Sequence, residues 1–260
     1  MSGIHPMSVV HPDAKIGAGV TIEPFSTVAA DVVIGDGCWI GPNVSIMDGA
    51  RIGTSCKIFP GAVISAIPQD LKFKGEVTTA EIGNNTIVRE CVTINRGTSH
   101  RMKTAVGDHC LLMAYVHVAH DCLVGNNVIL ANTVNLAGHV DIGDWAILEG
   151  LVAVQQFVSI GAHAFITGGS LVRKNVPPFV KAAREPLSYV GINSVGMRRR
   201  GFSAETVLNV EDIYRTIYVR GYNVTNALAI VEHEAPNIPE KKLIVDFIRN
   251  SENGIMRGSI

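Results

Sequence analysis

A chain of 260 residues with 47% hydrophobic and only 17% charged residues has the composition of a protein that folds around a large core. Its formal net charge of −1 gives no general attraction to nucleic acid or to an anionic membrane surface. No stretch reaches the roughly 18 to 20 consecutive apolar residues of a membrane span. The opening Met1-Ser2-Gly3-Ile4-His5-Pro6 lacks the basic segment and apolar run of a signal peptide. These features point to the cytoplasm, without stable membrane insertion.

From Val10 onward the chain repeats every six residues. Val10, Ile16, Ile22, Val28, Ile34 and Ile40 begin a frame that runs to Val172, and 25 of its 28 slots hold Ile, Leu or Val. Asp70, Glu76 and His100 are the exceptions. Gly follows the slot at Ile16, Ile34, Ile52, Ile82, Val106, Val124, Ile142 and Ile160, a spacing of 18 where the frame is unbroken. Such a short fixed period marks a solenoid whose coils stack and bury one apolar residue per face. Three six-residue sides of about 20 Å each, at ~3.3 Å per residue, make a triangular coil. Cys38, Cys56, Cys110 and Cys122 each fall four residues after a slot, where small residues recur, so they read as buried filler. With Cys91 they make an odd set of five without CxxC spacing, which excludes a disulfide framework or a structural zinc site.

Two interruptions break the coils, one over 65–81 and one over 95–105. The first contains Gln69-Asp70-Leu71-Lys72, where Asp70 offers an acceptor for a sugar hydroxyl and Lys72 a cation for phosphate. Farther on, His117-Val118-Ala119-His120-Asp121 concentrates ionisable groups. With an 18-residue coil, Gly138 lies over His120 and His139 over Asp121. Histidine suits general-base work near neutral pH, and His120 is the candidate base, its ring expected to be oriented by the Gly138 carbonyl. His117, His120 and His139 are also potential metal ligands, but the spacing favours proton transfer, so no metal is expected. Gly150 and Gly168 share one column 18 apart, which leaves either a groove free of side chains or two tight corners.

The period ends near Pro177-Pro178, which cannot join a central ladder. Ser203 can cap a helix from about 204 to 220, stopped by Gly221. Its apolar residues Val207, Val210, Ile213, Tyr214 and Ile217 recur at three and four. Further helices are expected over 224–234 and 240–250, the latter after Pro239. The chain therefore divides into a β-solenoid, residues 1–190, and a small helical domain, residues 191–260.

Several motifs together carry a family resemblance. Gln69-Asp70-Leu71-Lys72 with Gly75-Glu76, Val92-Thr93-Ile94-Asn95-Arg96-Gly97-Thr98, His117 to Cys122, Leu136-Ala137-Gly138-His139 and Arg199-Arg200-Gly201-Phe202-Ser203 are in question. In this order, they resemble the UDP-N-acetylglucosamine O-acyltransferases. The resemblance implies a left-handed parallel β-helix, mainly β, assembled as a homotrimer with sites between subunits. It implies transfer of a 3-hydroxyacyl chain from acyl carrier protein to the 3-hydroxyl of UDP-N-acetylglucosamine, the first step of lipid A biosynthesis. No cofactor is implied beyond the phosphopantetheine of the donor.

The resemblance makes His120 the base, Gly138 the oxyanion donor and Asp121 part of the catalytic group. Gln69, Asp70, Leu71, Lys72, Asn95, His117, His139 and Gln156 are implied to line the sugar site. Asn193, Arg199 and Arg200 would hold the nucleotide, and Gly150 and Gly168 would border a groove for a long acyl chain. Two positions depart from the family pattern: Asn95 stands where His is frequent, and Gln155 precedes Gln156 where a His-Gln pair is common. The competing expectations are a metal-dependent hydratase and another hexapeptide acyl- or acetyltransferase.

Overall fold

The computed structural model of the chain describes residues 3–258. Met1 and Ser2, where the signal-peptide reading starts, and Ser259 and Ile260, at the end of the expected helical domain, lie outside the described residues. The repeat folds as a left-handed parallel β-helix with three sheets of eleven, nine and eight strands. The first sheet runs from Gly3–Ile4 to Ser188–Ile192, the second from Val9–Val10 to Leu171–Val172, and the third from Lys15–Ile16 to Ser159–Ile160.

Strands pair in parallel with the strand one coil away, as Ile22 does with Ile40 and Ile40 with Ile58. The slot residues point inward: Ile22, Ile40, Ile58, Leu112, Leu130 and Leu148 are fully buried. Each such side chain contributes about 1.5 to 3 kcal/mol by leaving water. Ile52 pairs with Ile82, a step of 30, and Ile82 with Val106, a step of 24, where the ordinary step is 18. Both insertions thus add whole hexapeptides, so the frame survives them. The segments outside strands there are narrower than the sequence suggests, 67–78 and 96–102.

Between strands the chain turns at a corner whose third residue after the slot adopts the left-handed region. Tyr115, Asp121, Asn127, Thr133, His139 and Trp145 have φ between 56° and 64°. The next residue points a small side chain into the core, and the cysteines occupy this place. Cys38, Cys56, Cys110 and Cys122 each donate a weak S–H bond, at 3.0 to 3.1 Å, to a carbonyl of the coil above. Ser26 and Thr86 use hydroxyls in the same way. Burial pushes the Cys122 thiol up to about 12, which leaves it an inert packing group.

Beyond the solenoid, Val180–Ala183 and Ser188–Ile192 form the antiparallel pair that closes the first sheet, an arrangement the six-residue frame does not announce. Four helices follow among the described residues: α1 (Ser194–Arg199), α2 (Ala204–Tyr218), α3 (Val224–Glu234) and α4 (Pro239–Arg249). Helix α1 lies outside the sequence expectation, being too short to show a period. Ser203 caps α2 by accepting from the Thr206 N–H at 3.0 Å. That helix ends at Tyr218 rather than at Arg220, because the Arg220 N–H folds back onto the Arg215 carbonyl at 3.0 Å. Val207, Val210, Ile213, Tyr214 and Ile217 are all buried, as their spacing requires.

Candidate active site

The corner joining the second sheet to the third brings the histidine-rich segment to one place. His120 is 5% exposed and Asp121 fully buried. His120 Nδ1 donates to Asp121 Oδ2 at 2.8 Å, a direction fixed by the carboxylate's being able only to accept. In the neutral imidazole this makes Nε2 the acceptor. Gly138 stacks against the ring as the 18-residue coil requires, and a Cβ built there would lie 2.6 Å from His120 Cε1 and 2.7 Å from Nε2. Only a glycine leaves room for the imidazole.

The expected orienting partner requires correction. The Gly138 carbonyl accepts from the Phe157 N–H at 3.3 Å, and the His120 ring is oriented instead by the side chain of Asp121. Neighbouring residues on a strand face opposite ways, but Asp121 sits in a corner with φ 58°, which turns its carboxylate back beside the preceding ring. That carboxylate accepts four hydrogen bonds: from His120 Nδ1, from the Thr98 hydroxyl at 2.6 Å, and from the Thr98 and Arg101 N–H groups at 3.1 Å each. Desolvation raises its pKa, but the donors outweigh that effect and hold Asp121 below the ordinary carboxylate range.

His139 lies one coil above Asp121, its Nε2 3.8 Å from Oδ2, and it stacks on Phe157 with ring centroids 4.5 Å apart. Its Nδ1 is buried without a partner among the described residues. Burial lowers the pKa of His139, and burial followed by the charge of His120 lowers that of His117. Both rings are thus kept neutral at pH 7. The Nδ1 of His117 is 2.7 Å from the Thr93 hydroxyl.

Asp70 and Lys72 reach the same corner from the first insertion. With Phe73, His100, His139 and Phe157 they line a cleft of about 260 Å³. The Lys72 N–H donates to Asp70 Oδ1 at 2.9 Å, and the Arg96 guanidinium lies 5.5 Å over the Phe73 ring, pinning the loop. Gln69 is exposed and Leu71 wholly so. Asn95 is 3% exposed, donates to the Ile67 carbonyl at 3.3 Å, and keeps Oδ1 without a partner among the described residues. It anchors the root of the loop. Gln156 is exposed next to Phe157.

The remaining candidates lie elsewhere on this chain. Asn193 caps α1 through Oδ1 and donates through Nδ2 to the His163 carbonyl at 2.9 Å, committing both ends of its amide. Arg199 is exposed and, with Asn193, Lys181 and Phe165, lines a second hollow of about 450 Å³ on the first sheet. Arg200 bonds the Trp145 carbonyl at 3.0 Å, at the corner between the third and first sheets. Gly168 stacks on Gly150, its Cβ position 3.1 Å from the Gly150 carbonyl oxygen, at the corner between the first and second sheets. Neither glycine has a positive φ, so no left-handed turn demands it.

His120, Asp121 and His139 each offer one ligand-type atom within 4.8 Å of the others. The four hydrogen bonds to Asp121 already fill the roughly four acceptor positions of a carboxylate. Thr98 and Arg101 have no role legible in the sequence, because Arg101 meets Asp121 through its backbone N–H and Thr98 through both its N–H and its hydroxyl, brought there by an excursion outside the repeat. Phe157 was within reach, lying 18 residues beyond His139.

Comparison with known proteins decides the family. Residues 175–256 match the family described as UDP N-acetylglucosamine O-acyltransferase, domain 2, and residues 31–66 and 103–138 match bacterial transferase hexapeptide repeats. A curated relative is the acyl-[acyl-carrier-protein]--UDP-N-acetylglucosamine O-acyltransferase of Chlorobaculum parvum. It is 53% identical over 255 residues, with 98% of this chain and 97% of the relative covered. The chain belongs to the UDP-N-acetylglucosamine O-acyltransferase family. Among solved acyltransferases of this family, that of Bacteroides fragilis is 52% identical, with a TM-score of 0.96 over 97% of this chain and 99% of the other. That of Francisella novicida is 39% identical, with a TM-score of 0.95 over 98% and 94%. The agreement extends over solenoid and helices alike.

Proposed function

We propose that this chain transfers a 3-hydroxyacyl group from acyl carrier protein to the 3-hydroxyl of UDP-N-acetylglucosamine, opening lipid A biosynthesis, with His120 as general base. The observation that carries this reading is the imidazole held by Asp121 through Nδ1 and covered by Gly138. Nε2 takes the proton of the sugar hydroxyl as its oxygen attacks the thioester carbonyl. The tetrahedral oxyanion is stabilised by the Gly138 N–H, which has no hydrogen-bond partner among the described residues. Collapse breaks the C–S bond, and the imidazolium returns the proton to the phosphopantetheine thiolate. Neither a covalent enzyme intermediate nor a metal is needed, since a hydroxyl nucleophile and a thiol leaving group require only one shuttled proton.

Asp70 and Lys72 hold the sugar and its phosphates beside His139. Arg199 and Arg200 serve the nucleotide, with Asn193 shaping α1 behind them. Two corners of one coil stand about 20 Å apart, so these groups meet His120 most simply across a subunit boundary. This supports a homotrimer with its sites between copies. Among the described residues no helix is long and apolar enough to cross a membrane, in keeping with a cytoplasmic enzyme.

The test is direct. The purified protein is incubated with UDP-N-acetylglucosamine and a series of 3-hydroxyacyl carrier-protein thioesters, and the products are read by mass spectrometry. Acylated nucleotide sugar is expected from the native protein and not from His120→Ala. A His120→Ala protein that keeps its rate rules out this general base.

A further inference from the structure

The segment 96–102 leaves the six-residue frame, and His100, which stands at a slot, is exposed instead of buried. The excursion accomplishes something that a regular coil does not. It folds two backbone N–H groups and one hydroxyl onto the Asp121 carboxylate, which is itself fully buried. Oδ2 accepts from Thr98 Oγ1 at 2.6 Å and from His120 Nδ1 at 2.8 Å, while Oδ1 accepts from the N–H groups of Thr98 and Arg101 at 3.1 Å. The segment is fastened from its other end by the Arg101 guanidinium, which donates to the Asp121 carbonyl at 2.9 Å and to Asp141 Oδ2 at 3.1 Å.

We infer that Thr98 is a positioning residue for acyl transfer: its hydroxyl and N–H fix the Asp121 carboxylate in the one orientation that aims the His120 imidazole. The inference rests on the reading of His120 as general base. Of the three donors from this segment, only the Thr98 hydroxyl belongs to a side chain. It shares its acceptor oxygen with His120, so its loss frees Asp121 Oδ2 to rotate away from Nδ1. Thr98 is 8% exposed, so its donor is shielded from solvent, where an unpaired polar group is costly. His139, 3.8 Å from the same oxygen, is too distant to substitute.

Thr98→Val keeps the shape and removes the hydroxyl, and Thr98→Ser restores it. A hydrogen bond to a charged group is worth about 1.5 to 3 kcal/mol, and tenfold in rate corresponds to about 1.4 kcal/mol. Thr98→Val should therefore lose roughly tenfold to a hundredfold in kcat, with KM for the nucleotide sugar within about twofold of native. Thr98→Ser should recover most of that loss, and Thr98→Ala, which cannot clash, should repeat the Val result while melting cooperatively. A folded Thr98→Val or Thr98→Ala protein with native kcat overturns the inference, as does a loss carried by KM alone or one that Ser fails to restore. His120→Ala measured alongside separates the two claims. If it is inactive while the Thr98 variants are unimpaired, only the role of Thr98 falls; if it is active, the general-base reading falls with it.

Discussion

At Gly138 a single methyl group should separate folding from chemistry. The backbone there has no positive φ, so alanine meets no conformational barrier, yet its Cβ would lie 2.6 Å from His120 Cε1. The imidazole must swing out of line to admit it. A misplacement on the order of 1 Å at a reacting group costs about a hundredfold, so Gly138→Ala should lose at least roughly that much kcat while its thermal unfolding stays cooperative. Steady-state kinetics beside a circular-dichroism melt reads both. The juxtaposition of Gly138 and His120 was legible in the sequence because an 18-residue period fixes which residues stack. The orienting role of Asp121 was not, because corner residues in the left-handed region escape the strand rule of alternating faces. Nor does a period say which backbone N–H groups an excursion turns inward, which is why Thr98 and Arg101 emerge only from the fold.

At the scale of elements, the joint between solenoid and helices depends on His163. Its ring stacks on Phe179 with centroids 5.1 Å apart, meets Phe202 edge-on at 5.2 Å, and faces the Arg200 guanidinium at 3.3 Å, while its carbonyl receives Asn193. Burial first, and Arg200 second, lower the His163 pKa to about 4, against a smaller opposing effect of Asp144. Histidine in the unfolded chain titrates near 6.5. Between these values the unfolded state binds a proton that the folded state refuses, so stability falls as pH drops below about 6.5 and levels off below about 4. His163→Phe keeps the stacking and cannot take the proton. Denaturant midpoints measured from pH 7.5 to 4 should therefore decline less steeply in the variant, and parallel curves would refute this role.

The same scale shows what sequence patterns can and cannot announce. Helices α2 and α3 carry side-chain caps, α4 opens on a proline, and all three show apolar spacing over eleven residues or more, enough turns for a period to stand out. Helix α1 has an Asn193 cap but only six residues, too few for a period. The antiparallel pair after Val180 is equally silent, since it follows the last slot and has no repeat of its own.

For the whole molecule, the repeat makes every corner a column running the length of the solenoid, and substitutions act on columns. Asn132, Gly150 and Gly168 occupy one such column, with the Cβ position of Gly150 3.3 Å from the Asn132 carbonyl oxygen and that of Gly168 3.1 Å from the Gly150 carbonyl oxygen. No side chain projects from the two glycines, and the neighbouring corner residue Leu151 is 67% exposed. An apolar chain lying along this edge, between copies of the trimer proposed above, would be worth about 0.8 kcal/mol for each CH₂ it buries. A side chain placed across the edge removes the outer part of that groove and leaves the base untouched. Gly168→Met has no φ barrier and needs its neighbour to give by only a few tenths of an ångström. It should therefore fold, keep its rate with short acyl donors, and lose rate progressively as the chain lengthens. At about 0.8 kcal/mol per methylene, two lost CH₂ contacts correspond to a change of more than tenfold in donor preference. Competition between donors of different length, with products counted by mass, reads that ratio directly. An unchanged ratio would place the acyl chain on another edge of the solenoid.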